Sequence, residues 1–548
     1  MIVVDPVVLG DVPFTRLSSK WVYDRTGTLV EVPANTLGVT YDPTDLSKAP
    51  WALLEPEATN FIRNNTMQGV VAGIPGTLPT NWIPATNVPG LSRQVIGVFQ
   101  EDGIDFVDLR IFGYVGAMAL PEYTFQFEGN RTIQAGAGQT WVSSIYARVL
   151  GASRNVAQLQ AFEHYIICYR EDGSLVEASP KSEQPTTRQL SECRIVHSRT
   201  VAAQDTAYVA SRLDFNLRNG GNYDLDVVIR IGLPQIERDR ATSPIKTSNG
   251  AVTRAADVVG AGAGLVYSNV PMVEPPYNVA TTYAKDATVY DPARKIVYWS
   301  MVAGNVGKAL SDPAFWNKRT AINRWAMFDD RNSTQTSNPE EIVSVFSAQA
   351  ITQGLFAGAM DASEVRVSMT HPTRGLVFSE AKSLVLPRSG SSFYGWCFNR
   401  LRLRTWFLTL KLPVFANALV TVTIKKPGGV PKCGMCLLGP TVDVGLSMMG
   451  LSTELKDYST TTFFTDGSSS TVERGFSKKM SVDISVESDR VESIEDDLIK
   501  RRQKTLVFLG STLRGDTMLV GRFSSLRKVI DSFPRSKMAL QIDGVLSQ

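Results

Sequence analysis

Apolar and polar residues alternate along many short stretches of this chain. Val107, Leu109 and Ile111 alternate with an aspartate and an arginine, and the stretches 213–217 and 225–231 repeat the pattern. Successive side chains of a β-strand point to opposite faces, so the alternation predicts strands with one buried face. Turns rich in glycine and asparagine separate these stretches, at spacings typical of β-sandwiches.

Helical patterning is rare and is clearest near the C-terminal end. The stretch 493–502 carries acidic residues in its first turn and basic residues in its last, an order that the helix dipole favours. Ser493 is expected to be the N-cap of this helix. The patterning as a whole predicts a mainly β, multidomain chain of β-sandwiches with a small additional β module and few helices.

Changes in composition divide the chain into four parts. A passage rich in glycine, proline, asparagine and threonine runs over 69–90, a second one covers 242–276, and a compact aromatic segment follows at 277–316. We predict an N-terminal leader at 1–88, a β-sandwich at 89–258, a linker with a small module at 259–320, and a β-rich C-terminal part with one short helix at 321–548.

Composition and charge exclude several classes of protein. Apolar residues make up 43% of the chain and charged residues 20%, which excludes a largely disordered protein. The formal net charge is +3, whereas a general nucleic-acid-binding protein would carry a clustered basic excess. No apolar run approaches the ~18 residues of a membrane span, and the first residues do not resemble a signal peptide. We expect no nucleic-acid partner and no membrane insertion.

The cysteines and histidines offer little material for catalysis or for a metal site. Cys433 and Cys436 have CxxC spacing, but a structural zinc site needs four ligands, and no second CxxC or histidine pair lies nearby. Two buried thiols in a β-region are therefore favoured over metal or redox chemistry. His164 lies in an apolar run and is expected to be structural, and no HExxH or GxSxG motif occurs. We expect no catalytic residue, metal or cofactor.

The stretch 393–406 interleaves aromatic residues with arginines, a pattern that nucleic-acid-binding proteins also show. Alternation of arginine and leucine around 401–403 is equally typical of an amphipathic strand. With a near-neutral chain, a solvated strand face or a protein interface is favoured here. In the larger sandwich, Trp141 and Tyr146 are expected to lie in the core.

Three stretches carry motifs that recur together in one group of proteins. The first is Val-Thr-Tyr-Asp-Pro at 39–43, followed by 51–60. The second runs over 140–257 and ends with Leu-Pro-Gln, Thr-Ser-Pro-Ile and Val-Thr-Arg-Ala-Ala-Asp segments. The third spaces tyrosine, tryptophan and proline over 282–316. Together they resemble bacteriophage tail, fibre and baseplate-appendage proteins; the second is similar to a galactose-binding-like jelly roll and the third to a small chitin-binding-type carbohydrate module.

The resemblance implies a structural virion protein of a tailed bacteriophage, in the tail fibre, tip or baseplate appendage, made in the host cytoplasm. It implies contacts with other tail or baseplate proteins, attachment to a host-surface glycan, no enzymatic activity, and a homo-oligomer, with a trimer as one form. The alternative is a purely structural tail or collar connector that binds no sugar. A polysaccharide depolymerase is disfavoured, since the chain shows no repeating β-helix rung.

The candidate sugar site lies in the small module. Sugars present C–H faces and hydroxyl edges, so their sites combine flat aromatic rings with polar side chains. Trp299 is the expected platform with Tyr283 beside it, while Tyr298 points to the opposite face of its strand and Trp316 packs in the core. The alternative is that all four are core of a very small domain. Such modules usually have Gly-Asp where Asp286 begins the turn here.

Overall fold

The computed structural model of the 548-residue chain describes residues 1–6, 10–151, 153–386, 393–398, 402–511, 514–529 and 534–546. Strands dominate and helices are few, so the predicted mainly β, multidomain fold is confirmed. The chain divides into two compact units. The sandwich unit comprises 14–48 and 53–259, and the terminal unit comprises 1–13, 49–52 and 260–548. The finer division into four parts stays a prediction.

The sandwich unit contains two antiparallel sheets. In the order of hydrogen-bonded neighbours, the five-stranded sheet consists of Leu91–Glu101, Ile104–Val115, Tyr223–Arg238, Thr140–Val149 and Arg194–Thr200. The six-stranded sheet consists of Leu175–Glu183, Leu159–Tyr169, Tyr208–Leu217, Glu122–Gln126 and Ile83–Thr86, with Ile133–Gln134 also paired to Tyr208–Leu217. Buried residues of both sheets form one hydrophobic core, as expected for a β-sandwich.

The alternation read from the sequence sets which side chains enter this core. Val107, Leu109 and Ile111 all lie in it, as predicted. Trp141 and Tyr146 are also buried, as expected. Fully burying an aliphatic side chain of this size contributes roughly 1.5–3 kcal/mol relative to leaving it exposed, so the register of the strand is strongly specified.

The leader of the sandwich unit is held by buried ion pairs. Lys20 Nζ lies 2.6 Å from Asp257 Oδ2 and 2.8 Å from Glu55 Oε2. Arg16 and Arg254 complete the network through the same two carboxylates. Removing one partner of a buried ion pair leaves the other charge buried without compensation. These residues therefore hold the leader against the segment that follows the sandwich. Shorter elements of the unit are Phe14–Thr15, Lys20–Tyr23, Leu29–Val32, Val39–Thr40, Ala58–Asn60, Val252–Arg254, Val258–Val259, and the 3₁₀-helices Val156–Gln158 and Leu190–Glu192.

The largest sheet of the terminal unit has eight strands. In neighbour order they are Thr441–Asp443, Ile2–Val4, Leu506–Ser511, Arg514–Val529, Arg535–Gly544, Phe476–Glu487 and Leu446–Ser447, with Ser452–Asp457 also paired to Phe476–Glu487. A six-stranded sheet consists of Gly10–Asp11, Gly264–Ser268, Glu341–Ser347, Leu419–Lys425, Glu364–His371 and Gly375–Ser383. Each sheet contributes residues to its own hydrophobic core.

Smaller sheets complete the terminal unit. One three-stranded sheet, in the small module, consists of Thr288–Asp291, Ile296–Ser300 and Trp316–Ala321. Another consists of Phe407–Thr409, Gly354–Gly358 and Met435–Gly439. The remaining elements are Trp51–Ala52, Thr336–Ser337 with Lys432–Cys433, Val385–Leu386 with Arg402–Leu403, Thr460–Phe463 with Ser469–Val472, and the 3₁₀-helix Asn323–Phe328.

The predicted C-terminal helix is present but starts earlier than expected. It spans Val491–Lys500, and Arg490 occupies the N-cap position, so the assignment of Ser493 as the N-cap is wrong. The Ser493 hydroxyl donates instead to the Arg490 carbonyl from within the first turn. The earlier start buries one more apolar residue against the eight-stranded sheet. The buried stripe consists of Val491, Ile494 and Leu498.

A second α-helix, Phe393–Phe398, lies in the aromatic and basic stretch. The described residues of the C-terminal part therefore form two α-helices, where one was predicted. Arg402–Leu403 is a short strand, as the alternation predicted, and residues 399–401 lie outside the described part of the chain. Among the residues that the structure describes, no helix is long and apolar enough to cross a membrane.

Candidate functional site

The small module buries three of the four aromatic residues predicted for the sugar site. Tyr283, Tyr298 and Trp316 are 8%, 3% and 2% exposed and form one cluster. The ring centroids of Tyr283 and Trp316 lie 5.3 Å apart in an edge-to-face arrangement, and the Trp316 indole N–H donates to the Lys308 carbonyl. These rings fill the interior of a small sheet, where they stabilise the module.

Trp299 lies apart from that cluster. It alternates with Tyr298 along Ile296–Ser300, so its ring is on the other face of the sheet, where it is half-buried. The guanidinium of Arg319 lies 3.7 Å from the Trp299 ring centroid. The structure thus separates Trp299 from Tyr283, which the sequence analysis had placed side by side, and covers one ring face with a cation.

The turn that departs from the usual module pattern forms with an aspartate. Asp286 has a φ of 67°, in the left-handed region that glycine adopts most easily and that aspartate tolerates better than most residues. Its backbone N–H donates to the Ser300 carbonyl at 2.8 Å. The module therefore keeps this turn despite the missing glycine.

A second group of aromatic and charged residues lies on the outward side of the six-stranded sheet in the sandwich unit. Along Leu159–Tyr169, His164, Ile166 and Cys168 are buried on the inner side. The residues between them therefore point outward. We call this outward side the tyrosine face; it is formed by Glu163, Tyr165, Tyr169, Tyr208, Arg212, Asp214 and Gln126. Tyr169, Asp214 and Gln126 are buried, and the other four are partly exposed.

Strand register brings these residues together. Tyr169 pairs with Tyr208 across the two central strands, and Tyr165 pairs with Arg212. The guanidinium of Arg212 lies 4.9 Å from the Tyr165 ring centroid. Directly opposed side chains on one sheet face are near neighbours, so residues 39 and 47 positions apart in sequence lie side by side.

Every tyrosine hydroxyl of the tyrosine face has an acceptor. Tyr165 donates to Glu163 at 2.6 Å, Tyr169 donates to Gln126 at 2.7 Å, and Tyr208 donates to Glu171 at 3.1 Å. Burial and the neighbouring carboxylate raise the pKa of the Tyr165 hydroxyl. These bonds fix the orientation of the rings, which lowers the entropy lost when a ligand stacks on them.

Arg212 and Asp214 form the charged centre of this face. Arg212 Nη2 donates to Asp214 Oδ2 at 2.6 Å. Desolvation raises the pKa of Asp214 to about 7, and the neighbouring guanidinium opposes that shift. Asp214 Oδ1 and Arg212 Nε are buried and make no hydrogen bond. The Arg212 side chain is 28% exposed, so its guanidinium can still donate to a sugar hydroxyl, whereas the Asp214 side chain is fully buried.

The tyrosine face was not predicted from the sequence. A signal was present, because Tyr165 and Tyr169 are four residues apart, as are Tyr208 and Arg212, and both pairs lie in apolar alternating stretches. Such spacing puts each pair on one strand face. What the sequence did not contain was the register that joins the two strands.

His164 occupies the inner side of the same sheet. Its Nε2 lies 2.9 Å from Ser143 Oγ and 3.1 Å from Ser211 Oγ. Complete burial lowers the pKa of His164 to about 3, so the ring is neutral at physiological pH. The expectation of a structural histidine fits this position between the two sheets.

Cys433 and Cys436 are buried thiols in two consecutive strands of different sheets, and their burial was expected. Burial raises the pKa of Cys433 to about 12, which keeps the thiol protonated. The Cys397 side chain lies outside the described part of the chain. Within the described ranges, no group of three or more histidine, cysteine, aspartate or glutamate residues is arranged to hold a metal ion.

No protein-family model and no curated protein matches this chain. Solved structures that match part of it include the enzymatically active domain of tailspike protein 4 from bacteriophage CBA120, at 11% identity and a TM-score of 0.20, covering 29% of this chain and 20% of that one. The xylan-binding module CBM22-1 of Paenibacillus barcinonensis Xyn10C matches at 11% identity and a TM-score of 0.19, covering 34% and 94%.

An arabinose-bound α-L-arabinofuranosidase, MgGH51, matches at 13% identity and a TM-score of 0.24, covering 42% of this chain and 32% of that one. The chain thus spans only a fifth to a third of the tailspike domain and of this enzyme. The neighbours comprise β-sandwich carbohydrate-binding modules, a phage tailspike and glycoside hydrolases. At these identities and TM-scores, the likeness says nothing about what this chain binds.

Proposed function

We propose that this protein is a glycan-binding virion protein of a tailed bacteriophage, carried on the tail fibre, the tip or a baseplate appendage. It attaches the particle to a glycan of the host surface and does not cleave that glycan. The observation that carries the proposal is the tyrosine face, where oriented aromatic rings surround a partly unsatisfied Arg212–Asp214 pair. The combination of sequence motifs supports the phage assignment.

Binding at this face combines stacking with hydrogen bonding. The C–H side of a sugar ring packs on Tyr165 and Tyr208, whose rings lose little entropy because they are already held. Its hydroxyls accept hydrogen bonds from the exposed part of the Arg212 guanidinium, which Asp214 orients from below. A single contact of this kind is weak, and several copies on one particle raise the overall attachment by roughly 10²–10⁴-fold.

The first test is adsorption of the labelled, full-length chain to host cells. Tyr208→Ala removes a half-buried ring from the tyrosine face, and we expect the apparent affinity to fall about tenfold, the size of one aromatic contact. Tyr114→Ala is the matched control, because it removes an exposed ring elsewhere in the same unit. Unchanged adsorption of the Tyr208 variant would contradict the proposed site.

The proposal of binding without cleavage needs a separate measurement. Purified chain is incubated with host-surface polysaccharide, and reducing ends are followed over time. We expect no release above that of buffer alone. A steady release of reducing ends would favour the depolymerase instead, since hydrolysis of each glycosidic bond creates one new reducing end.

A structural connector is the second candidate, and the interior of the small module favours it. Tyr283, Tyr298 and Trp316 fill the core of that module and leave no platform of several rings. A connector would bind to isolated phage particles that lack this chain and would not bind to host cells. Comparing these two binding assays with the same labelled protein separates the candidates.

A further inference from the structure

One edge of the eight-stranded sheet is formed by Ser452–Asp457. Among the described residues, this strand pairs only with Phe476–Glu487, so its other side presents free backbone N–H and C=O groups. Each of its six residues is exposed. An open strand edge of this kind is a ready template for pairing with another strand.

The charges on this edge are arranged for pairing with an identical strand. Glu454 and Lys456 lie two residues apart and therefore point to the same side of the sheet. When two copies pair antiparallel with Leu455 opposite Leu455, Glu454 of each copy lies opposite Lys456 of the other. A shift of one residue in one direction would place Glu454 opposite Asp457, a repulsive pair. An edge strand whose charges all had the same sign would instead repel the identical strand of a second copy.

A β-hairpin extends directly from this edge strand. Its strands, Thr460–Phe463 and Ser469–Val472, are exposed at every residue, and the Phe463 side chain is 79% exposed. Phe464 is also exposed. A two-stranded hairpin that packs on nothing is marginally stable in water, so this one gains from a surface that covers its aromatic residues.

The same pairing register supplies such a surface. It places residues 460–464 of the second copy beside residues 446–450 of the first. Leu446 and Met449 are exposed there, and they line a cavity of about 930 Å³ together with Leu451 and Leu509. The edge strand thus meets a complementary edge, and the hairpin phenylalanines meet a cavity that is partly lined by apolar side chains.

We propose that two copies of this chain associate through Ser452–Asp457 about a two-fold axis at Leu455. The two edge strands join the eight-stranded sheets of both copies, and the hairpin of each copy covers the cavity of the other. Such an interface is isologous and closes after two copies. All the residues that form it belong to the terminal unit.

The test measures the mass of the full-length chain in solution by sedimentation equilibrium, over a range of concentrations. The wild-type chain should form dimers. Lys456→Glu places a glutamate opposite Glu454 of the other copy, and the two-fold axis repeats this repulsive pair. The dimer dissociation constant should therefore rise at least tenfold. Glu454→Lys places two lysines opposite each other in the same way and should raise the dissociation constant by a similar factor. The double variant Glu454→Lys, Lys456→Glu restores both pairs, and its dissociation constant should return to within about threefold of the wild type.

Two further variants keep this test specific. Lys285→Glu changes the charge of an exposed lysine away from the edge and should leave the dimer unchanged. Phe463→Ser removes an exposed aromatic from the hairpin and should weaken the dimer without affecting the fold, which circular dichroism checks. A monomeric or trimeric wild-type chain, or a double variant that stays as weak as the single ones, would overturn the proposal.

Discussion

The small module and the tyrosine face contain similar residues and use them differently. In the module, aromatic residues lie within a short stretch of sequence and pack against one another as Tyr283, Tyr298 and Trp316 do. On the tyrosine face, Tyr165 and Tyr208 come from separate strands and lie on the outer side of a sheet whose inner side is already filled. A small sheet needs its aromatic residues inside, whereas a large sandwich can leave some outside.

This difference shows that the density of aromatic residues in sequence is a poor guide to a sugar site. A stretch of about 40 residues has few other apolar side chains with which to build a core. The sandwich draws its core from nine of its eleven strands, so some outward positions are free to carry polar and aromatic residues. Three substitutions test this comparison.

Trp316→Ala should have the largest effect, because it removes a fully buried ring from the module core. We expect the local stability of the module to fall by about 3–5 kcal/mol. Hydrogen exchange of the backbone amides in Ile296–Ser300 measures the loss. Trp299→Ala serves as the comparison, and in this variant the protection of the same amides from exchange should stay close to that of the wild type. Equal losses in both variants would show that Trp299 belongs to the core as well.

Asp214→Asn tests the charged centre of the tyrosine face. The pKa of Asp214 is about 7 in the folded chain and lies near 3.9 in an unfolded one, so the folded state holds the proton more tightly. This contribution to stability is complete below pH 4 and is lost as the pH rises through about 7. The wild-type free energy of unfolding should therefore fall in this window by up to about 4 kcal/mol relative to the variant.

Urea unfolding of the sandwich unit at several pH values between 4 and 8 measures this difference. Asp205→Asn is the matched control, since Asp205 is half exposed and pairs with Arg170 on the surface of the same unit. The pH dependence of the free energy of unfolding of this control should follow that of the wild type. Parallel curves for Asp214→Asn and the wild type would show that Asp214 is ionised throughout, and the charged centre would need another description.

Arg319→Ala should have the smallest effect. It removes the cation that lies over the Trp299 ring, a contact that contributes roughly 0.5–1 kcal/mol at an exposed site. Hydrogen exchange in Ile296–Ser300 should change slightly, and adsorption to host cells should not change. A clear loss of adsorption would return the sugar site to the module and would reverse the comparison.

Much of the fold followed from local patterns. The alternation of Val107, Leu109 and Ile111 predicted a half-buried strand, and these residues do enter the sandwich core. Cys433 and Cys436 are buried in strands, as their apolar surroundings indicated. The C-terminal helix was predicted from its charges, but its start was missed because the burial of Val491 depends on the sheet beneath it.

The β-rich class, the strands with one buried face and the near-neutral charge can all be read from the amino-acid sequence. These are properties of short windows, in which side-chain alternation and hydrophobic burial act on neighbouring residues. Only the tertiary structure decided that Tyr165 meets Arg212 and that Tyr283 and Trp299 lie on opposite sides of the small sheet. Strand register sets these meetings, and it depends on packing between residues far apart in the chain.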